Sequence, residues 1–250
     1  VFLGSCAGKC ATGASCYNTF IGFCAGIVND GGAFNTFIGK SAGASNTTGS
    51  NNTFVGQSAG SSNTTGYTNV FLGNSVGVAN TSGYLNIYIG KSIGGDATSS
   101  ASHCNIVIGQ NSGTCLSGNN NILLGDCVGG SNGAEVSGSH NFMAASCAGK
   151  DHSTGDNNVI IGKHAGSSNS GSSNVLLAEC AGSNNTGSYN IFLGCSAGRN
   201  NTADNGVFLG SNAGKCNTTG ASNVFLGNGV GVANTSGGSN IYIGSSIANV

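Results

Sequence analysis

Asparagine returns along this chain at intervals of mostly 16 or 17 residues, at Asn18, Asn35, Asn52, Asn69, Asn86, Asn105, Asn121, Asn141, Asn158, Asn174, Asn190, Asn223 and Asn240, with Gly206 filling the one gap. Each opens a unit N-x-Φ-Φ-G-x-x-A-G-x-x-N-T-T-G-x-x, where Φ is apolar. Clear copies run from Asn35 to Asn51 (NTFIGKSAGASNTTGSN) and from Asn52 to Thr68 (NTFVGQSAGSSNTTGYT). A unit this short cannot bury its own apolar residues. Stacking on identical neighbours is the way such a chain builds a core, so the period restricts it to a repeat architecture.

Composition selects which repeat. The 250 residues include 46 Gly, no Pro, no Trp and only 6% charged residues, so the Leu, Glu and Lys that build ordinary helices are scarce. Short runs of Val, Ile, Leu and Phe between Gly, Ser, Asn and Thr read as strands separated by turns. The prediction is an all-β chain, a parallel β-solenoid (β-roll) of about fifteen coils of 16–20 residues, forming a single repeat domain over 1–250. Longer spacings near Asp96 to Cys104 and Gly130 to His140 predict small loops at one edge. The stretch Asn69 to Gly94 returns nearly unchanged from Asn223 to Ala248, which reads as duplication of a nine-coil block. Val1 falls inside a repeat and Asn240 to Val250 carries no polar cap, so the solenoid is expected to continue beyond both ends.

Stacked strands place like residues in columns about 4.8 Å apart. Ile21, Ile38, Val55, Leu72, Ile89 and Ile108 form one apolar column, and Ala25, Ala42, Ala59, Val76 and Ile93 another. Phe20, Phe37, Phe54, Phe71, Tyr88, Phe192, Phe208, Phe225 and Tyr242 stand one residue earlier in the strand and face the other way. Two apolar faces on one strand predict that the aromatic column is an association surface between identical chains, most simply in a homotrimer. The alternative places both columns inside one wide coil. The opening Asn residues are expected to form an amide ladder within the wall.

The N-T-F-I-G-x-x-A-G units resemble the head repeats of trimeric autotransporter adhesins. The stretch Asn46 to Gly56 (NTTGSNNTFVG) is similar to repeats of phage tail-fibre-like proteins and related bacterial surface proteins. This resemblance spans the chain and implies left-handed parallel β-rolls assembled as trimers. The coils are longer than those of the adhesin heads, and no coiled-coil stalk, membrane-anchor barrel or C-terminal chaperone domain is visible. The expected role is a structural component of an extracellular, cell-surface or virion-surface fibre or adhesin shaft, with a cell-surface or glycan receptor as a further partner. Two other readings are a tailspike-type glycan-degrading enzyme on a solenoid scaffold and an ice- or carbohydrate-surface binder using Asn and Thr arrays.

A net charge of −1 gives no cationic stripe for nucleic acid, and no apolar run reaches the roughly 18 residues of a membrane span. The eight acids, among them Asp126, Asp156 and Glu179, form no evident catalytic pair. His103, His140, His152 and His164 lack metal-ligand spacing and read as surface residues. No catalytic, cofactor or metal residue is expected, and the chain is read as a non-enzyme. Eleven cysteines without CxxC spacing read as disulfides of an oxidising compartment, or as a ladder of buried thiols. Cys6 with Cys24, and Cys127 with Cys147, share one column in adjacent coils and are the candidate pairs. Sequons at Asn46, Asn51, Asn63, Asn80, Asn184, Asn200, Asn217 and Asn234 fall mostly on the N-T-T-G turn, where glycosylation is expected if the turn faces solvent.

Overall fold

A computed structural model describes residues 1–11, 15–94, 101–130 and 135–246. The chain is an all-β parallel β-solenoid of about thirteen turns, without helix among the described residues. It divides into two compact units, Val1–Asn121 and Ile122–Val250. The first contains β1 (Phe2–Leu3), β2 (Thr19–Ile21), β3 (Thr36–Ile38), β4 (Thr53–Val55), β5 (Val70–Asn74), β6 (Ile87–Lys91) and β7 (Ile106–Gln110), each paired in parallel with the next. The second contains β8 (Ile122–Asp126), β9 (Phe142–Ala144), β10 (Val159–Ile161), β11 (Val175–Leu177), β12 (Ile191–Leu193), β13 (Val207–Leu209), β14 (Val224–Leu226) and β15 (Ile241–Ile243), again in sequential parallel pairs. Much of the two expected edge loops, at 95–100 and 131–134, lies outside the described residues.

Register follows the repeat, so Phe20 pairs with Phe37, Phe37 with Phe54 and Phe54 with Phe71. Their rings stack with centroids 4.8–4.9 Å apart and interplanar angles of 6–9°. This corrects the sequence reading of the aromatic column as an association face. Phe20, Phe37, Phe54, Phe71, Phe192, Phe208 and Phe225 are 0% exposed within the single chain, Tyr88 is also buried, and Tyr242 in the last strand is half-buried. The middle residue of each three-residue strand therefore points into its own coil. Its two neighbours point outward, and the Ile21 to Ile108 column is half-buried or exposed instead of forming core. The Ala25 to Ile93 column is buried as expected.

Close approach explains two recurring glycine positions of the coil. At Gly43 the backbone has φ +57°, and an added Cβ would lie 2.5 Å from the Phe37 ring, so only glycine lets the aromatic lie flat on the facing wall. At Gly39, φ is +132° and a Cβ would come within 2.4 Å of the Gly56 carbonyl oxygen in the next coil. Aromatic thickness thus dictates the bare backbone at Gly43, and close packing of successive coils the one at Gly39.

Two asparagine ladders complete the interior. In the opening ladder, Asn35 Nδ2 donates to the Gly49 carbonyl at 2.8 Å, and its Oδ1 accepts from the Asn52 backbone N–H at 2.9 Å. This is the wall ladder expected from the sequence. The second was not foreseen. Asn46 Nδ2 donates to Asn29 Oδ1 at 2.6 Å and Asn63 Nδ2 to Asn46 Oδ1 at 2.7 Å, while each also donates to the glycine carbonyl three residues on. The glycine carbonyls that the N-T-T-G corner turns inward thus accept from both ladders, Gly49 from Asn35 and Asn46 and Gly66 from Asn52 and Asn63, where an unpaired polar group would be costly.

Candidate functional site

With the strand aromatics and the two amide ladders enclosed, the chemistry available to a partner lies in the columns left outside. The outer face of the sheet carries two aliphatic columns, for example Ile87 with Ile89, Ile106 with Ile108, and Ile191 with Leu193. In the first unit the leading column begins with Thr19, Thr36 and Thr53, in register on successive coils. Ile87, Ile108, Ile122, Ile161, Ile191 and Leu193 each keep about two-fifths of their surface exposed.

The turn ladder corrects much of the glycosylation expectation. Asn46, Asn63, Asn80, Asn217 and Asn234 are at most 5% exposed, and the amide nitrogen that would carry a sugar is the one that donates along the interior ladder. A glycan on any of them is incompatible with the closed coil. Asn51, Asn184 and Asn200 are exposed, and Asn184 Nδ2 donates to Asn200 Oδ1 at 2.9 Å along the surface. Local sequence could not separate the two groups, since both read as polar turn residues.

His152 departs from the surface reading of the histidines. It occupies an asparagine rung of the second unit and is 0% exposed. Its Nε2–H donates to the Gly155 carbonyl at 2.8 Å, and Nδ1 accepts from Asn169 Nδ2 at 3.4 Å, so the neutral ring reproduces the donor and acceptor roles of the amide it replaces. Burial holds its pKa below the ordinary histidine value, with Gly155, Asn169 and Asp156 opposing. His103 instead caps a half-exposed aromatic stack, with Tyr67 to Tyr84 at 4.8 Å and Tyr84 to His103 at 4.6 Å.

All eleven cysteines are free thiols, so Cys6 with Cys24 and Cys127 with Cys147 do not form the expected disulfides. They are nonetheless neighbours, as the column predicted. The Cys24 N–H donates to the Ser5 carbonyl at 2.9 Å and the Cys147 N–H to the Asp126 carbonyl at 2.9 Å, which sets both pairs on adjacent rungs. Repetition of one backbone conformation, φ 60° and 54° in the first pair and 55° and 57° in the second, sends the paired side chains out in parallel. Repeated Cβ atoms are displaced by the strand spacing of about 4.8 Å, beyond the roughly 3.5–4.5 Å that a disulfide spans. Desolvation raises the Cys24 thiol pKa, with the Cys6 thiol adding to the effect and Lys9 and Lys40 opposing it. Cys127 is raised by desolvation, then by Asp126, whose Oδ1 accepts from its thiol at 3.5 Å, and by Cys147, with Lys150 opposing. Cys115 is the one buried thiol, while Cys10, Cys16, Cys195 and Cys216 are exposed and the rest half-buried, so the cysteines form no buried ladder.

A concavity of about 360 Å³ at the last described coil is lined by Ala233, Asn234, Thr235, Ser236, Gly237, Asn240 and Tyr242, without a carboxylate, histidine or thiol. Among the described residues no three or more His, Cys, Asp or Glu side chains converge on a point, and no helix is long and apolar enough to cross a membrane. No protein-family model matches the chain, and no curated protein or solved structure matches it either.

Proposed function

We propose that this chain is a structural segment of an extracellular fibre or adhesin shaft, self-associating through the outer face of its sheet. The observation that carries this reading is the half-exposed aliphatic column from Ile21 to Ile108 in the first unit, joined from Val70 onward by a second apolar column, and the like pair in the second unit, all without charge on the residues that form them. Apolar strips of this kind are characteristic of association surfaces. A second solenoid of the same rung spacing can meet every rung of such a strip, which favours a partner of the same chain. The resemblance to adhesin-head and tail-fibre repeats supports a left-handed coil, a homotrimer and a location on a cell or virion surface, with a surface glycan or receptor as the further partner.

Light scattering tests the assembly. Native chains should show a multiple of the 24.3 kDa protomer mass, and Leu177→Glu with Leu209→Lys, two outward positions on separate rungs, should reduce it to one protomer without changing the circular dichroism. A wild-type monomer, or variants that assemble as before, would overturn the reading. The in-register array Thr19, Thr36 and Thr53 favours a second reading as a binder of an ordered surface such as ice or crystalline polysaccharide. Thr36→Lys would then abolish adsorption while leaving protomer mass unchanged.

A further inference from the structure

The corner that follows each strand places one residue at φ near 55° on the coil surface, and the occupants of that position form a column. In the first unit it reads Cys6, Cys24, Ser41, Ser58, Ser75, Ser92, Asn111, and in the second Cys127, Cys147, His164, Cys180, Ser196, Asn212, Gly229, Ser246. Backbone bonds from Cys24 N–H to Ser5, Cys147 to Asp126, His164 to Ser146 and Cys180 to Lys163 fix these residues on consecutive rungs. The thiols of Cys6 and Cys24 interact directly, and Cys127 and Cys147 lie close enough to perturb one another. All four are partly accessible.

Ladder geometry selects the kind of ion that such pairs can hold. Ring stacking of Phe2 on Phe20 sets the spacing between the coils of Cys6 and Cys24 at 4.9 Å, and the coils of Cys127 and Cys147 are joined by the same parallel register, with strands about 4.8 Å apart. With metal–sulfur bonds of about 2.3 Å, two thiolates on a tetrahedral ion lie roughly 3.8 Å apart, whereas on a linear ion they span roughly 4.6 Å. The ladder spacing suits the linear case. A third ligand from the same column would come from a rung twice as far away, in agreement with the lack of any converging group of three among the described residues. Thiolate donors favour soft cations.

We propose that Cys6 with Cys24, and Cys127 with Cys147, each form a two-sulfur site for a soft monovalent cation, Cu(I) or Ag(I), held linearly between neighbouring coils. Binding exchanges two thiol protons for one cation, 2 RSH + M⁺ giving [M(SR)₂]⁻ and 2 H⁺, with no change of oxidation state. The complex carries one negative charge. Lys9 and Lys40 stand near the first pair and Lys150 near the second, while Asp126 opposes charge at the second. The Cys6–Cys24 site is therefore the tighter of the two. His164 and Cys180 continue the second column as a weaker nitrogen–sulfur pair.

Silver titration of the full, reduced chain under anaerobic conditions tests this, with native mass spectrometry to count bound ions and X-ray absorption to identify ligands. The exposed Cys10, Cys16, Cys195 and Cys216 are first replaced by Ser to remove scattered thiols. The expected result is two tight equivalents, each with two sulfur neighbours and each releasing two protons. Cys6→Ser removes the tighter equivalent and Cys127→Ser the other. Serine already occupies this column at Ser41, Ser58 and Ser75, so both variants retain a side chain native to the corner, and unchanged circular dichroism confirms folding. Unchanged stoichiometry in the double variant, binding in proportion to total cysteine, or three-sulfur coordination would each overturn the assignment.

Discussion

Phe54 sits in the middle of the stacked aromatic column, 4.8 Å from the Phe37 ring on one side and 4.8 Å from the Phe71 ring on the other. Replacing it with alanine removes a fully buried ring from a wall whose backbone is pinned by inter-coil bonds such as Gly56 N–H to Ile38 O at 2.7 Å. Lost transfer energy contributes about 2 kcal/mol. The void is roughly 100 Å³, and at about 24 cal/mol per Å³ it adds roughly 2.4 kcal/mol, because the rungs cannot slide together to fill it. The sum, about 4 kcal/mol, lies within the usual range for a buried Phe→Ala change. Ile38→Ala, on the outward side of the adjacent strand, should cost about 1 kcal/mol, since its side chain is only half-buried. Urea unfolding combined with hydrogen exchange at the Gly39 and Gly56 amides measures both, and it registers local opening of a repeat array that need not unfold in one step. A cost for Phe54→Ala below about 1.5 kcal/mol, accompanied by a fall in light-scattering mass, would refute the inward placement and restore the aromatic column as an interface.

Asn63→Ala should destabilise the first unit by about 1–3 kcal/mol, because it strands Asn46 Oδ1 and removes one of two bonds from the Gly66 carbonyl and the Asn80 amide, and urea unfolding checks it. Peptide mapping of native material should find any N-linked sugar at Asn51, Asn184 or Asn200 and none at Asn63. His152 is neutral in the folded chain with its pKa below the unfolded value of about 6.5, so the folded state binds fewer protons across that window. Its contribution to stability is complete above about pH 6.5 and is lost as pH falls through the folded pKa, at up to about 1.4 kcal/mol per pH unit. His152→Asn, which restores the ladder amide, should flatten that acid limb, and an unchanged pH profile would exclude His152 as its source.

Much of this architecture is legible in the sequence because repetition converts local pattern into long-range contact. Once Asn35, Asn52 and Asn69 are aligned, strand positions, parallel register, the opening amide ladder and the adjacency of Cys6 with Cys24 all follow from the period. The direction in which each coil closes does not follow. Thr36-Phe37-Ile38 presents apolar residues at both strand parities, so alternation alone cannot say whether Phe37 or Ile38 is inside. Closure decides it: the bare backbone of Gly43 accepts the Phe37 ring, and Ile38 is left outside. The N-T-T-G turn is ambiguous for a related reason. Its composition is that of a solvent-facing corner, yet Asn46 and Asn63 turn inward, where each donates both to the preceding rung and to the carbonyl of Gly49 or Gly66. His152 could be placed only through that ladder, since its inclusion depends on matching the hydrogen-bonding roles of an amide and not on any local signal. The period determined which residues are neighbours along the axis; closure of the coil determined which side of the wall they occupy, because burial is a property of the enclosed volume and the strand itself is apolar on both faces.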